Sequence, residues 1–306
     1  MDWNLKHPKI NNEFIFRTNS GVELWLKRED LIHPTVSGNK FRKLKYNLIH
    51  AKAHKLDTLV TFGGAFSNHI AAVAAAGEIY NFKTVGIIRG EELETKIADN
   101  PTLHFAKNAG MLLKFVSRAT YREKTAANYL DNLKEVFPSA CIIPEGGTNT
   151  LAVNGCEEIL SEYDKKFDVI CCSVGTGGTI SGLINSASSH QKIIGFSALK
   201  GDFLSSEISK FATRNNWELN SNYHFGGYAK INEELIAFLN NFYLDFGIKF
   251  DPIYTGKMIF GIMDLIKSNY FNPNTKILAI HTGGLQGVTG MNLKLKSAKL
   301  PLINFE

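Results

Sequence analysis

The sequence predicts an α/β fold of two domains, each a mostly parallel twisted sheet flanked by helices. Short apolar strands alternate with helical runs along the chain, and glycine-rich turns stand where strands end. The 306 residues also exceed one typical domain of ~100–200 residues.

In order, Leu24-Trp25-Leu26-Lys27-Arg28-Glu29-Asp30-Leu31 reads as a strand ending in charges, with a turn at Pro34. Ser37-Gly38-Asn39 precedes Lys40, where a helix begins with Leu44, Leu48 and Ala51 spaced for one buried stripe. Thr58 to Phe62 is a short apolar strand that meets Gly63-Gly64. After Asn68, the alanine-rich run His69 to Gly77 has the small side chains of a tightly packed helix. Thr84 to Ile88 is a strand, Pro101 to Ala109 a helix, and Met111 to Val116 the next strand. A second strand–turn–helix unit runs from Phe167 to Val174, breaks at Gly175-Thr176-Gly177-Gly178-Thr179 and continues through Ile184. Ile193 to Phe196 and Lys276 to Ile280 complete the strands, the last ending at His281-Thr282-Gly283-Gly284. Strands separated by helices need crossover connections, hence parallel pairing. No linker or repeat marks a domain boundary.

Composition excludes several classes. A formal charge of +5 with basic residues scattered among acids does not suit a nucleic-acid binder. The densest basic cluster is Lys40, Arg42, Lys43 and Lys45. The four cysteines show no CxxC spacing, so neither a disulfide framework nor a thiolate metal site is expected. His50 and His54 stand one helical turn apart without a third ligand, and no metal is expected. The N-terminus has no apolar signal core and no stretch is long enough to span a bilayer, so a cytoplasmic chain without a membrane partner is expected.

Gly175 to Thr179 is the strongest local signal. Glycines and hydroxyls between a buried strand and a helix start expose backbone N–H groups to an anion, and glycine lets a phosphate come close. A plain tight turn is the bland alternative. Ile180 stands where a third glycine of GxGxxG would be, and neither Lys40 nor Lys257 sits in a Walker frame. Gly38-Asn39-Lys40 puts a lysine on rigid backbone, as a Schiff-base lysine requires, with Lys43 near enough to help lower its pKa. A surface lysine would read the same way, and Lys257 in Tyr254-Thr255-Gly256-Lys257 is a rival. Ser67-Asn68-His69 at a helix start can grip a carboxylate or simply cap the helix.

In this order the motifs resemble the tryptophan-synthase-β-like (fold type II) pyridoxal-phosphate family, in the branch of 1-aminocyclopropane-1-carboxylate deaminase and D-cysteine desulfhydrase. The resemblance runs nearly end to end, from Lys27-Arg28-Glu29-Asp30-Leu31 to His281-Thr282-Gly283-Gly284. It implies pyridoxal 5'-phosphate as cofactor, Lys40 as its Schiff-base lysine, and Gly175, Thr176, Gly177, Gly178 and Thr179 as the phosphate cradle, with Lys43 as a further contact. It implies Asn68 near the ring hydroxyl, Thr255 near the pyridine nitrogen and Thr282 in the last strand motif. Ser67, Asn68 and His69 would meet a small amino-acid substrate, with Tyr254 and Ser67 acting beside Lys40 at the reacting carbons. It implies a small domain over 41–154, a large one from 1–40 and 155–306, and a homodimer.

Thr255, Thr282 and His69 stand on the desulfhydrase side of this branch, where ring-opening deaminases carry Glu, Leu and Gln. Ile70-Ala71-Ala72 departs from the Arg-Gln-containing helix of both kinds. The expected activity is α,β-elimination from a small amino acid such as D-cysteine, giving a 2-oxo acid and ammonia. The alternatives are cyclopropane-ring deamination, a non-catalytic pyridoxal-phosphate-binding regulator and a nucleotide-binding protein.

Overall fold

The computed structural model describes residues 9–305. Its strands are β1 (Asn12–Arg17), β2 (Glu23–Lys27), β3 (Thr58–Gly63), β4 (Lys83–Arg89), β5 (Leu112–Val116), β6 (Ala140–Ile143), β7 (Val169–Val174), β8 (Lys192–Ser197), β9 (Trp217–Asn220) and β10 (Lys276–Ile280). They form a six-stranded sheet in the order β1-β2-β10-β7-β8-β9 and a four-stranded sheet in the order β5-β4-β3-β6. Every neighbouring pair is parallel except β1 with β2. The strands β3 and β7 are buried at every residue, which explains their mainly apolar sequences: helices cover both faces.

The predicted elements recur with small shifts. The first strand stops at Lys27 instead of Leu31, and Glu29–Leu31 forms a 3-10 turn. The cause is Glu29, a fully buried carboxylate that receives both arms of the Arg42 guanidinium at 2.9 Å. The strands β1, β6 and β9 were not anticipated. At four to six residues, with partial burial at most positions, they carry weak patterns.

The alanine run becomes the helix Asn68–Tyr80, in which His69 to Gly77 are all buried between the four-stranded sheet and the helices Pro101–Asn108 and Asn39–Ala53. Between the sheets, the helix Asn39–Ala53 crosses the helix Thr150–Glu157. A Cβ on Gly155 would stand 2.0 Å from the Arg42 carbonyl oxygen, so only glycine permits the approach. Among the described residues no helix is long and apolar enough to cross a membrane.

Candidate active site

The carboxyl ends of β3, β4, β6, β7 and β10 converge on one cavity of about 910 Å³. Parallel strands leave their C-terminal turns and the following helix N-termini at one edge, which is where such sheets bind ligands.

Lys40 opens onto this cavity from the first turn of its helix. Gly38 makes the placement possible. Its φ of 60° and ψ of −140° suit glycine alone, and a Cβ there would fall 1.9 Å from the Thr282 carbonyl oxygen. Asn39 ties the turn to both neighbouring loops: its backbone N–H donates to Thr282 O, and its side-chain amide donates to Thr179 Oγ1 at 2.8 Å. The Lys40 amine donates to Asn39 Oδ1 at 3.0 Å. Burial, followed by repulsion from Lys43, lowers its pKa from 10.5 to about 7.

Lys43, one turn further on, donates to Gly146 O, Thr148 Oγ1 and Thr176 Oγ1 at 2.9, 3.0 and 3.3 Å. Burial lowers its pKa as well. Together with Gly175, Thr176, Gly177 and Thr179 it lines the cavity. Gly178 lies just behind that wall, where a Cβ would come within 3.1 Å of Lys43 Nζ and 2.8 Å of Thr148 Oγ1. Glycine backbone, three hydroxyls and a buried cation around one helix N-terminus fit a phosphate ester.

On the opposite wall Ser67 caps the helix Asn68–Tyr80, accepting from Ile70 N at 3.3 Å, and still reaches the cavity. Capping and exposure to a ligand therefore coexist. Asn68 Oδ1 and His69 Nδ1 are buried without a partner among the described residues, and both residues line the cavity. Thr61 fixes the histidine tautomer. Its hydroxyl donates to Ile143 O, so at 2.8 Å it must accept from His69 Nε2–H, leaving Nδ1 as an acceptor. Burial, then Lys40 and Lys43, hold His69 well below the ordinary histidine pKa, so it is neutral.

Tyr254 and Thr282 also line the cavity. Burial and the neighbouring Tyr228 raise the Tyr254 hydroxyl pKa well above 10, so it remains protonated. Thr282 Oγ1 lies 3.3 Å from Ser173 Oγ at the adjacent strand end. Thr255 opens the helix that follows Tyr254. It is fully buried outside the cavity wall, and its hydroxyl donates to Asp251 Oδ2 at 2.7 Å. Asp251 also accepts from the backbone N–H groups of Ile253, Tyr254 and Thr255, so Thr255 completes a helix cap. Lys257, the rival lysine, is buried away from the cavity and donates to the carbonyl oxygens of His224 and Gly227.

Sequence reasoning missed Arg89, Glu145, Thr148, Ser173 and Tyr228, which all line the cavity. Arg89 was within reach, because it follows the predicted strand Thr84 to Ile88 at its carboxyl end.

Comparison with known proteins agrees with this geometry. The family model described as pyridoxal-phosphate dependent enzyme matches residues 13–283. A bifunctional D-cysteine desulfhydrase/1-aminocyclopropane-1-carboxylate deaminase, mitochondrial, of Arabidopsis thaliana is 30% identical over 94% of this chain and 76% of its own length. A D-cysteine desulfhydrase of Klebsiella pneumoniae is 27% identical over 86% of this chain and 87% of its own. A crystal structure of an ACC deaminase homologue superposes with a TM-score of 0.79 at 26% identity, covering 94% of this chain and 93% of that one. The family match spans most of the chain, and the chain belongs to the pyridoxal-phosphate dependent enzymes.

Proposed function

We propose that the enzyme eliminates the β-substituent of a small amino acid, with D-cysteine as the first candidate, releasing sulfide, pyruvate and ammonia. The observation that carries this reading is the Lys40 amine, lowered to about 7 and facing the same cavity as the phosphate cradle. A neutral amine at neutral pH can attach the cofactor and, once freed, take the proton from the substrate Cα. Bound pyridoxal phosphate supplies the electron sink that makes this proton removable.

In this reading Lys43 and the loop Gly175–Thr179 hold the phosphate, and Asn68 faces the ring hydroxyl. The N-terminus of the helix behind Ser67 receives the substrate carboxylate, and His69 Nδ1 accepts a hydrogen bond from a bound group. Tyr254, protonated, donates a hydrogen bond to the departing sulfur. Ser173 and Thr282 replace Thr255 as the neutral hydroxyls at the ring, because Thr255 serves Asp251. Neutral partners leave the ring a modest electron sink, which suits a reaction whose electrons leave with sulfur. The same reading divides the chain into a small domain over 41–154 and a large one from 1–40 and 155–306. A homodimer belongs to the same reading on family resemblance, and a cytoplasmic chain on the sequence expectation.

The test is incubation of the cofactor-loaded enzyme with D-cysteine, scoring sulfide and pyruvate together. No turnover with the cofactor demonstrably bound excludes this substrate. Release of 2-oxobutyrate from 1-aminocyclopropane-1-carboxylate would support the second activity named for the Arabidopsis relative. A non-catalytic role has no support, since Lys40, Ser67 and Tyr254 all face one cavity.

A further inference from the structure

The cavity wall carries one cation that the cofactor and a simple substrate leave unexplained. Lys124 pairs with Glu145 at 3.3 Å, Lys134 with Asp131 at 3.0 Å, and Lys210 with Glu207 at 2.6 Å, so these cavity-lining lysines are balanced by protein carboxylates. Three cations remain without a carboxylate partner among the described residues: Lys40, Lys43 and Arg89. The proposed function assigns Lys40 to the cofactor carbonyl and Lys43 to its phosphate. Arg89 has no such assignment.

Arg89 is nonetheless placed. It ends β4, and its guanidinium lies 5.7 Å from the centre of the Tyr121 ring, a geometry that restrains the planar group. Its Nη2 would stand 3.4 Å from a Cβ on Gly64, at the cavity wall just before Ser67. The nearby acid cannot neutralise it, because Glu145 accepts from Tyr121 Oη at 2.8 Å and pairs with Lys124. Tyr228, which also lines the cavity, has its ring centre 6.2 Å from that of Tyr254, and Lys43 is held at the other end by Gly146, Thr148 and Thr176. The exposed guanidinium thus stands by Tyr121 and Gly64, apart from the Lys43 contacts at the phosphate end. The cavity volume of about 910 Å³, which the cofactor and substrate share, is near the top of the ~300–1,000 Å³ range for small-molecule sites.

We propose that Arg89 determines substrate specificity by pairing with a carboxylate at the far end of the substrate side chain, so that the preferred substrate is a cysteine derivative whose sulfur bears a carboxylate. This rests on the elimination reading above. In the reaction the Cβ–S bond breaks and its electron pair leaves on sulfur, which takes a proton and departs as a carboxylate-bearing thiol. Water hydrolyses the remaining enamine to pyruvate and ammonia, so no oxidant or reductant is needed.

The test compares S-carboxymethylcysteine with its uncharged near-isostere S-carbamoylmethylcysteine, as both enantiomers, on the cofactor-loaded enzyme. Binding is followed by calorimetry and turnover by pyruvate release. The wild type is expected to favour the carboxylate on the order of tenfold in both Kd and kcat/KM. Arg89→Ala should bring that ratio to about one, and Arg89→Lys should restore part of it. An equal loss for both compounds would overturn the proposal, placing Arg89 at the α-carboxylate they share. An unchanged ratio would also overturn it, leaving Arg89 a solvated rim residue. Binding discrimination without turnover of any cysteine derivative would instead locate the failure in the elimination reading.

Discussion

At the residue scale the decisive group is the Lys40 amine. Loss of hydration disfavours its ammonium form, and the Lys43 charge adds to the effect, so the amine is half neutral near pH 7 instead of 10.5. Only the neutral amine attacks a carbonyl. The rate at which apoenzyme captures pyridoxal phosphate should therefore rise with pH up to about 7 and flatten above it, where an unperturbed lysine would keep gaining. Rapid mixing followed by visible absorbance measures this. Lys43→Met removes a repelling charge and should move the inflection to higher pH; a downward or absent shift would contradict the role given to Lys43. Lys40→Ala should abolish the visible absorbance of covalently bound cofactor. Lys257→Ala should keep it, since Lys257 serves two backbone carbonyls away from the cavity.

At the element scale, the helix Asn39–Ala53 is the part that holds Lys40 in register. Its first turns are anchored by Gly38 against Thr282, by Asn39 against Thr179, and by Arg42 against Glu29. The Arg42–Glu29 pair is buried, and removing one member leaves an uncompensated charge at a cost of about 3–5 kcal/mol. Arg42→Met should lower unfolding stability by that amount in urea titrations. A loss under about 1 kcal/mol would show that the pair is solvated and does not anchor the helix. Anchoring also explains what the sequence made legible. Gly38-Asn39-Lys40, Gly175 to Thr179 and Ser67-Asn68 are local signals, because glycine conformation and helix capping are decided within a few residues. The Asp251–Thr255 contact is just as local, four residues apart, and it engages the Thr255 hydroxyl. Arg89, Glu145 and Tyr228 come from separate segments, and only the folded arrangement brings them to one wall. The weak strands β1, β6 and β9 were obscure for a related reason: short strands depend on their sheet neighbours more than on their own sequence.

At the scale of the whole molecule, the cavity draws on both sheets. Ser67 follows the end of β3, Gly146 and Thr148 follow β6, and Thr176 and Thr282 follow β7 and β10. A ligand touching all of these should stabilise the chain as one unit. In Lys40→Ala the cofactor binds without a covalent bond, so mass action applies, and at a hundredfold excess over Kd the gain is about 2.7 kcal/mol. With ~2.1 cal/mol/K of unfolding entropy per residue, the 306-residue chain has an entropy of about 0.64 kcal/mol/K, and Tm should rise by about 4 °C. Calorimetry of Lys40→Ala against increasing pyridoxal phosphate checks both the size of the shift and its unity. Adding Lys43→Ala should displace the curve to higher cofactor concentration, because the cradle loses its buried cation. Two separate transitions, only one of them moving, would mean that a single sheet holds the cofactor and that the convergence of strand ends does not couple the two halves.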